Sequence, residues 1–298
     1  LVSGGDGHEL AVDAAYARLR AVLSSYGSVV VAFSGGVDSA LVAWVASREL
    51  GANAVALTAD SETLPPEERQ VAVAFARAHG LRHHVVASRE LLSEAYQKND
   101  GTRCYHCKSE LFDLAEAERA RLGFAFVADG TLPDDLGDDR PGLRAASEHA
   151  VRHPLLEAQV PKAVVRALAA RLGLEVADKP SFACLGSRFP VGTRVTATRL
   201  GMVSKLESVL RKLGFTQVRV RYHELSVDPS GDGIGAVMAR IEVPPADIAR
   251  VSAPEVRDVV RSAAREAGFR WVTVDLAGYR TVEEALSEAL ARVVARGS

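Results

Sequence analysis

From residue 28 to residue 128 the chain alternates short β-branched runs with helical stretches, and this alternation limits the fold more than any other feature. Residues 28–33 (SVVVAF) are apolar without alternation, the pattern of a strand buried on both faces of a parallel sheet. A glycine-rich turn follows, then a helix that directs Ala40, Leu41, Trp44 and Val45 to the core. Further strands are expected over 53–58, 82–86 and 124–128, with helices over 66–79 and 104–121, after an opening helix over 8–25. Strands and helices in this order predict βαβ units and a parallel sheet with helices on both faces.

Near residue 177 the pattern changes. Residues 178–192 hold two prolines and two glycines and lead to a helix over 196–213. Strands with alternating sides are expected over 217–222 and 235–243, joined through a turn-rich 228–234. A helix over 253–267, a strand over 271–275 and a last helix complete the chain. The expected class is α/β: an N-terminal parallel-sheet domain over 1–185 and a smaller C-terminal α+β domain over 186–298.

Composition narrows the function classes. The 298 residues are 48% hydrophobic and 25% charged with a formal net charge of -2, so no global basic field points to nucleic acid. No run of 18 apolar residues suggests a membrane span, and the Gly-rich, polar first eight residues do not resemble a signal peptide, so a cytoplasmic protein is expected. Leu1 in place of an initiator Met suggests numbering from inside the natural chain or after processing. Three cysteines, Cys104, Cys107 and Cys184, are too few and too odd in number for a disulfide framework. They are either small buried hydrophobes or chemistry.

The sharpest motif is SGGVDS at 34–39, between the first strand and its helix. Gly35 and Gly36 let successive N–H groups point into one concavity at a helix N-terminus, while Ser34 and Ser39 add hydroxyls, a pocket suited to pyrophosphate. It is neither a Walker A loop nor a dinucleotide fingerprint. The motif matches the SGGxDS signature of the PP-loop ATP pyrophosphatases, which this chain resembles. That resemblance implies ATP cleavage to AMP and pyrophosphate, with Asp38 helping to hold Mg²⁺. It also implies that Asp60 and Ser61, at the end of the second strand, border adenine and ribose; an ordinary polar loop is the alternative.

Cys104 and Cys107 form a CxxC at a helix start, a position that favours thiolate chemistry and suits metal, cluster or redox use. Cys184 lies in KPSFACLGSR (179–188) at the expected domain junction, with Arg188 near enough to favour a thiolate; a buried structural cysteine is the alternative. With RCYHCK (103–108), DGTLPDDLGDDRPGLRAA (129–146), VRVRYH (218–223), ARIEV (239–243) and DLAGYR (275–280), these segments resemble the LarE family over nearly the whole chain. The resemblance implies adenylation of a carboxylate of a pyridinium-biscarboxylate mononucleotide, followed by sulfur delivery through Cys184. Delivery would either consume the cysteine sulfur or use a [4Fe-4S] cluster held by Cys104, Cys107 and Cys184. It further implies a small-molecule substrate rather than nucleic acid or membrane, and a homo-oligomer of up to six copies.

Arg219 and Arg221 lie two apart on one strand and so share a face, where they bind either a substrate phosphate or an internal carboxylate such as Glu242. By resemblance Ser187, Arg188 and Glu207 surround the donor loop; Glu207 would otherwise be a solvated helix position. Asp134 and Asp135 could meet nucleotide or Mg²⁺, although Leu132 stands where the family usually has Asn, and Thr281 follows DLAGYR where the family usually has Ser. A tRNA thiolase, an amide-forming synthetase and a non-catalytic nucleotide sensor are the alternatives. A basic RNA-binding stripe would favour the first, full turnover by Cys184→Ala the second, and absence of pyrophosphate release the third.

Overall fold

The structure, a computed structural model, describes residues 5–136, 141–180, 182–226 and 235–279. It divides into two compact units, Leu1–Ala183 and Cys184–Ser298.

The first unit is an α/β layer structure. Its strands β1 (Val29–Ala32), β2 (Ala54–Asp60), β3 (His83–Ala87) and β4 (Phe126–Ala128) form one parallel sheet in the order β3-β2-β1-β4. Helices α1 (Gly5–Ser25), α2 (Val37–Leu50) and α3 (Pro66–Ala78) accompany the first strands, and α4 (Glu94–Lys98) and α5 (Arg103–Leu122) precede β4. Every β1 residue is buried, as an unbroken apolar run on a central strand requires. Two apolar clusters cover the sheet. One joins Leu19, Leu23, Val29, Val31 and Leu41; the other joins Val30, Val55, Leu57, Phe112 and Ala115. Odd and even residues of β1 thus face different layers.

After β4 come α6 (Pro141–Glu148), α7 (Pro154–Glu157) and α8 (Lys162–Arg171). Proline marks each start: Pro141 and Pro154 open their helices, and Pro161 is the N-cap of α8. These helices are too short to announce themselves by apolar periodicity.

The second unit carries α9 (Ala197–Lys212), β5 (Arg219–Glu224), β6 (Val237–Glu242), α10 (Ile248–Ser252), α11 (Pro254–Ala267) and β7 (Trp271–Val274). β5 and β6 pair antiparallel, while β6 and β7 pair parallel across the α11 crossover, giving a mixed sheet. The second strand is shorter than 235–243. The turn expected over 228–234 and the last helix lie outside the described residues, apart from the approach to that helix before residue 280. Val220, Tyr222, Ala239 and Ile241 are buried, whereas Arg219, Arg221, His223 and Arg240 point to the other face and are partly exposed. None of the described helices is long and apolar enough to cross a membrane.

Candidate active site

The sheet order reverses direction beside β1: β2 lies on one side and β4 on the other. Open α/β sheets bind ligands beyond the carboxyl ends of strands at such a switch point. The SGGVDS loop leaves β1 there. Gly35 adopts φ +72°, and a Cβ would lie 3.0 Å from the Ala72 Cβ and 3.1 Å from its Cα, so the loop passes directly under α3. Gly36 is the N-cap of α2 and has no side chain to occupy the helix end. Ser34 Oγ and Ser39 Oγ are 3.1 Å apart, and Ser39 Oγ donates to the Gly36 carbonyl (3.2 Å), bracing the turn from inside.

Loops from other elements close around it. Gly130, just after β4, lies so near that a Cβ would sit 2.8 Å from the Ser39 nitrogen. Asp129 is buried and accepts from His153 Nδ1 (2.8 Å) and from both the backbone N–H and Oγ1 of Thr131 (3.0 and 2.9 Å). Burial pushes its carboxyl up, but the His153 hydrogen bond and the charges of Lys108 and His153 outweigh that and hold it below the usual Asp range. Lys179 Nζ donates to the Gly35 carbonyl (3.0 Å) and pairs with Glu68 (2.7 Å). Lys162 Nζ reaches both Asp38 oxygens, at 2.7 and 2.6 Å.

Asp60 ends β2 and pairs with Arg69 (3.1 Å). Ser61 donates to the buried Glu90 (2.9 Å), which also accepts from Thr63 (2.6 Å), so the polar loop at the strand end has a defined shape. Thr58 Oγ1 donates to the Phe33 carbonyl (2.7 Å) and therefore accepts from His83 Nε2 (2.8 Å), anchoring the residue before the loop. Burial and neighbouring His84 push the His83 pKa down. Asp134 accepts from the Lys162 backbone N–H (3.1 Å) and Asp135 from Leu132 (3.0 Å), so both acidic side chains cap turns. The rest of the acidic run, 137–140, lies outside the described residues.

Cys104 is exposed and Cys107 half-buried on the first turns of α5, three residues apart and so neighbours on the helix surface. Among the described residues no three His, Cys, Asp or Glu side chains converge as a metal requires. Cys104 and Cys107 belong to the first unit, and Cys184 belongs to the second.

Cys184 opens the second unit and is half-buried. Its carbonyl accepts from Ser187 N–H (3.0 Å) and Ser187 Oγ (2.8 Å), making a tight 3₁₀ turn over Leu185–Arg188. Arg188 is buried and turns its guanidinium to Glu207, with Nε to Oε1 at 2.7 Å and Nη2 to Oε2 at 3.3 Å, so its charge is countered there. Glu207 is no solvated position: it is fully buried and also accepts from Arg211 (2.7 Å) and Val220 N–H (3.0 Å), tying the donor turn, α9 and β5 together.

Arg219 and Arg221 share one face of β5, alternating with buried Val220 and Tyr222. Arg221 pairs with Glu242 (2.9 Å) and donates to the Ser187 carbonyl (2.8 Å). Arg219 stacks over Tyr279 at 4.1 Å from the ring centre. Burial, with the like charges of Arg221 and Arg188, depresses its pKa. Arg240, opposite Arg221, adds a further guanidinium shared by Glu242 (3.2 Å) and Asp275.

A family model for asparagine synthase matches residues 13–100, the stretch that carries the glycine loop and Ser61. An uncharacterized protein of Synechocystis sp. is 42% identical over 265 residues, 89% of this chain and 94% of its own length. The pyridinium-3,5-bisthiocarboxylic acid mononucleotide synthase of Lactiplantibacillus plantarum is 37% identical over 274 residues, 89% of this chain and 91% of the relative. The chain belongs to the LarE family. It is an ATP-dependent enzyme of the LarE sulfur-insertase type, built on a PP-loop ATP pyrophosphatase unit. An uncharacterized Methanocaldococcus jannaschii protein, 25% identical over 85% of this chain and 91% of its own length, also resembles it.

The sequence alone singles out the glycine loop, Asp60 and both cysteine motifs as candidates. Lys162, Lys179, Glu90 and Asp129 were not singled out. For Asp129, its place directly after a strand end was an available signal; the lysines, 124 and 144 residues from their loop partners, offered none.

Proposed function

We propose that this enzyme adenylates a carboxylate of pyridinium-3,5-biscarboxylic acid mononucleotide and converts it to a thiocarboxylate through Cys184. The observation that carries the proposal is the framework of the second unit: the turn that begins at Cys184 and a face rich in arginines meet at Ser187. Ser187 holds the Cys184 carbonyl, and Arg221 holds the Ser187 carbonyl. Arg219, Arg221 and Arg240 bring guanidinium groups to one face of the described sheet, and such groups suit an anionic substrate group such as a phosphate.

The chemistry follows in two steps. A substrate carboxylate oxygen attacks the α-phosphorus of ATP while the bond to the β-phosphate bridge breaks, its electron pair leaving on pyrophosphate. The loop over Ser34, Gly35, Gly36 and Ser39 receives that leaving group, and Mg²⁺ on Asp38 would offset its charge. Asp60 and Ser61 border the nucleoside. The Cys184 thiolate then attacks the acyl carbon and expels AMP, forming a thioester. Loss of the cysteine α-proton with cleavage of its Cβ–S bond leaves dehydroalanine on the protein and sulfur on the substrate.

Cys104 and Cys107, one turn apart on α5, favour a second reading in which they and Cys184 bind a [4Fe-4S] cluster. Iron and acid-labile sulfide after anaerobic reconstitution separate the two. Iron bound by the wild type and lost in Cys107→Ala supports the cluster; iron-free, ATP-binding protein that gains dehydroalanine on turnover supports the single-use cysteine. Cys184→Ser is the direct test of the reaction. It should still release pyrophosphate in the presence of substrate but make no thiocarboxylate; thiocarboxylate formation by this variant would refute the role of Cys184. The proposal extends to a homo-oligomer of up to six copies in the cytoplasm, measurable by sedimentation.

A further inference from the structure

Two lysines touch the glycine loop, and they do so differently. Lys179 is tied to a backbone carbonyl and to Glu68, partners that hold it as a strut. Both hydrogen bonds of the Lys162 ammonium go to a single carboxylate, that of Asp38. Lys162 is the first residue of α8, and its backbone N–H is fixed by Asp134, so the chain is anchored while the four-carbon stem is free to swing. Asp38 stands in the first turn of α2, the helix end to which anionic phosphates are drawn.

An ammonium at 2.6 to 2.7 Å from both oxygens occupies the inner edge of the carboxylate, the edge a cation chelated by both oxygens would need, and its positive charge repels a cation from the outer lone pairs. Among the described residues no group of three acidic, cysteine or histidine side chains offers the cation another place. Magnesium completes its shell with substrate phosphates and water rather than with an all-protein cage. Cation and lysine therefore compete for Asp38, and the cation gains when something else takes the lysine.

We propose that Lys162 is an exchange residue: without nucleotide it covers Asp38, and when the metal–ATP complex binds it releases Asp38 to the cation and moves onto the β- or γ-phosphate. The lysine would then stay with pyrophosphate as the bond to the α-phosphorus breaks, and return to Asp38 when pyrophosphate leaves. The inference rests on the assignment of the loop to ATP. Its consequence is that the enzyme takes up cation and nucleotide together and does not retain a metal between turnovers.

The test compares wild type, Lys162→Met and Lys162→Gln by Mn²⁺ binding without nucleotide, read by electron paramagnetic resonance, and by ATP affinity from calorimetry. Circular dichroism and melting establish that each variant is folded. Removing the ammonium should strengthen Mn²⁺ binding about three- to tenfold and weaken ATP binding about tenfold or more. Adding Asp38→Asn to Lys162→Met should abolish the gained Mn²⁺ site. Failure of either change in a folded variant overturns the exchange. If the wild type binds no ATP, the assignment of the loop itself fails, a result the Mn²⁺ arm does not produce.

Discussion

At the scale of single residues, the site is built by side chains that are missing as much as by those present. Gly35 combines a left-handed backbone with contact under Ala72, and Gly130 abuts the Ser39 nitrogen. Gly130→Ala must displace the start of α2, and with it the turn that receives phosphate. We expect a loss of about 1–3 kcal/mol in urea unfolding, the scale of strain at a constrained backbone site, together with weaker ATP binding in calorimetry. Glu207 works by the opposite logic. It is a fully buried carboxylate serving Arg188, Arg211 and Val220, and neutralising it removes the charge that both guanidinium groups face there. Glu207→Gln should cost about 3–5 kcal/mol in chemical denaturation, and an unchanged midpoint would remove its role as anchor. The glycine loop could be read from sequence because its geometry is local. Glu207 lies on the apolar stripe of α9 with Leu200, Val203 and Leu210, a sign of burial, but its partners Arg188 and Val220 N–H are brought to it only by the tertiary fold.

At the scale of elements, the edge strand β3 is fastened to α5 by charge. His84 hydrogen-bonds Glu118, and Arg121 grips both oxygens of the same carboxylate. The hydrogen bond from Arg121 is the main cause that brings the Glu118 pKa down to about 2, with burial opposing it and His84 adding to it. A carboxyl depressed in the folded state contributes stability above its unfolded pKa, about 4.3, and loses it as pH falls through the folded value. Wild type should therefore be more stable than Glu118→Gln at pH 6, with the gap closing between about pH 4.3 and 2. Melting temperatures of both proteins across that range check this; a constant gap would refute it. The long elements were legible because their periodicity is strong, whereas α6 to α8 were signalled only by prolines. The parallel pairing of β7 with β6 depends on the α11 crossover, a choice of partner that no strand pattern encodes.

At the scale of the whole molecule, each of the two units carries its own set of candidate site residues. The first contains the nucleotide loop and the CxxC; the second begins at Cys184 and carries the arginine face. The family and the class of reaction were legible because motifs for both halves recur along the chain. Whether the cysteines act together is not legible in the same way, because spacing along a helix says nothing about a third ligand in another unit. Arg219→Ala should raise the KM for the mononucleotide by about tenfold or more while leaving the affinity for ATP unchanged, which steady-state kinetics and calorimetry would separate. An equal loss of both would place Arg219 in general folding instead.

Ser187 spans the short interval between sulfur and guanidinium, donating to the Cys184 carbonyl and offering its own to Arg221. These two bonds tie the backbone of the cysteine turn to the arginine face, so the second unit sets a spacing between them. On the function proposed above, that spacing would sort substrates by the distance from their phosphate to their carboxyl group.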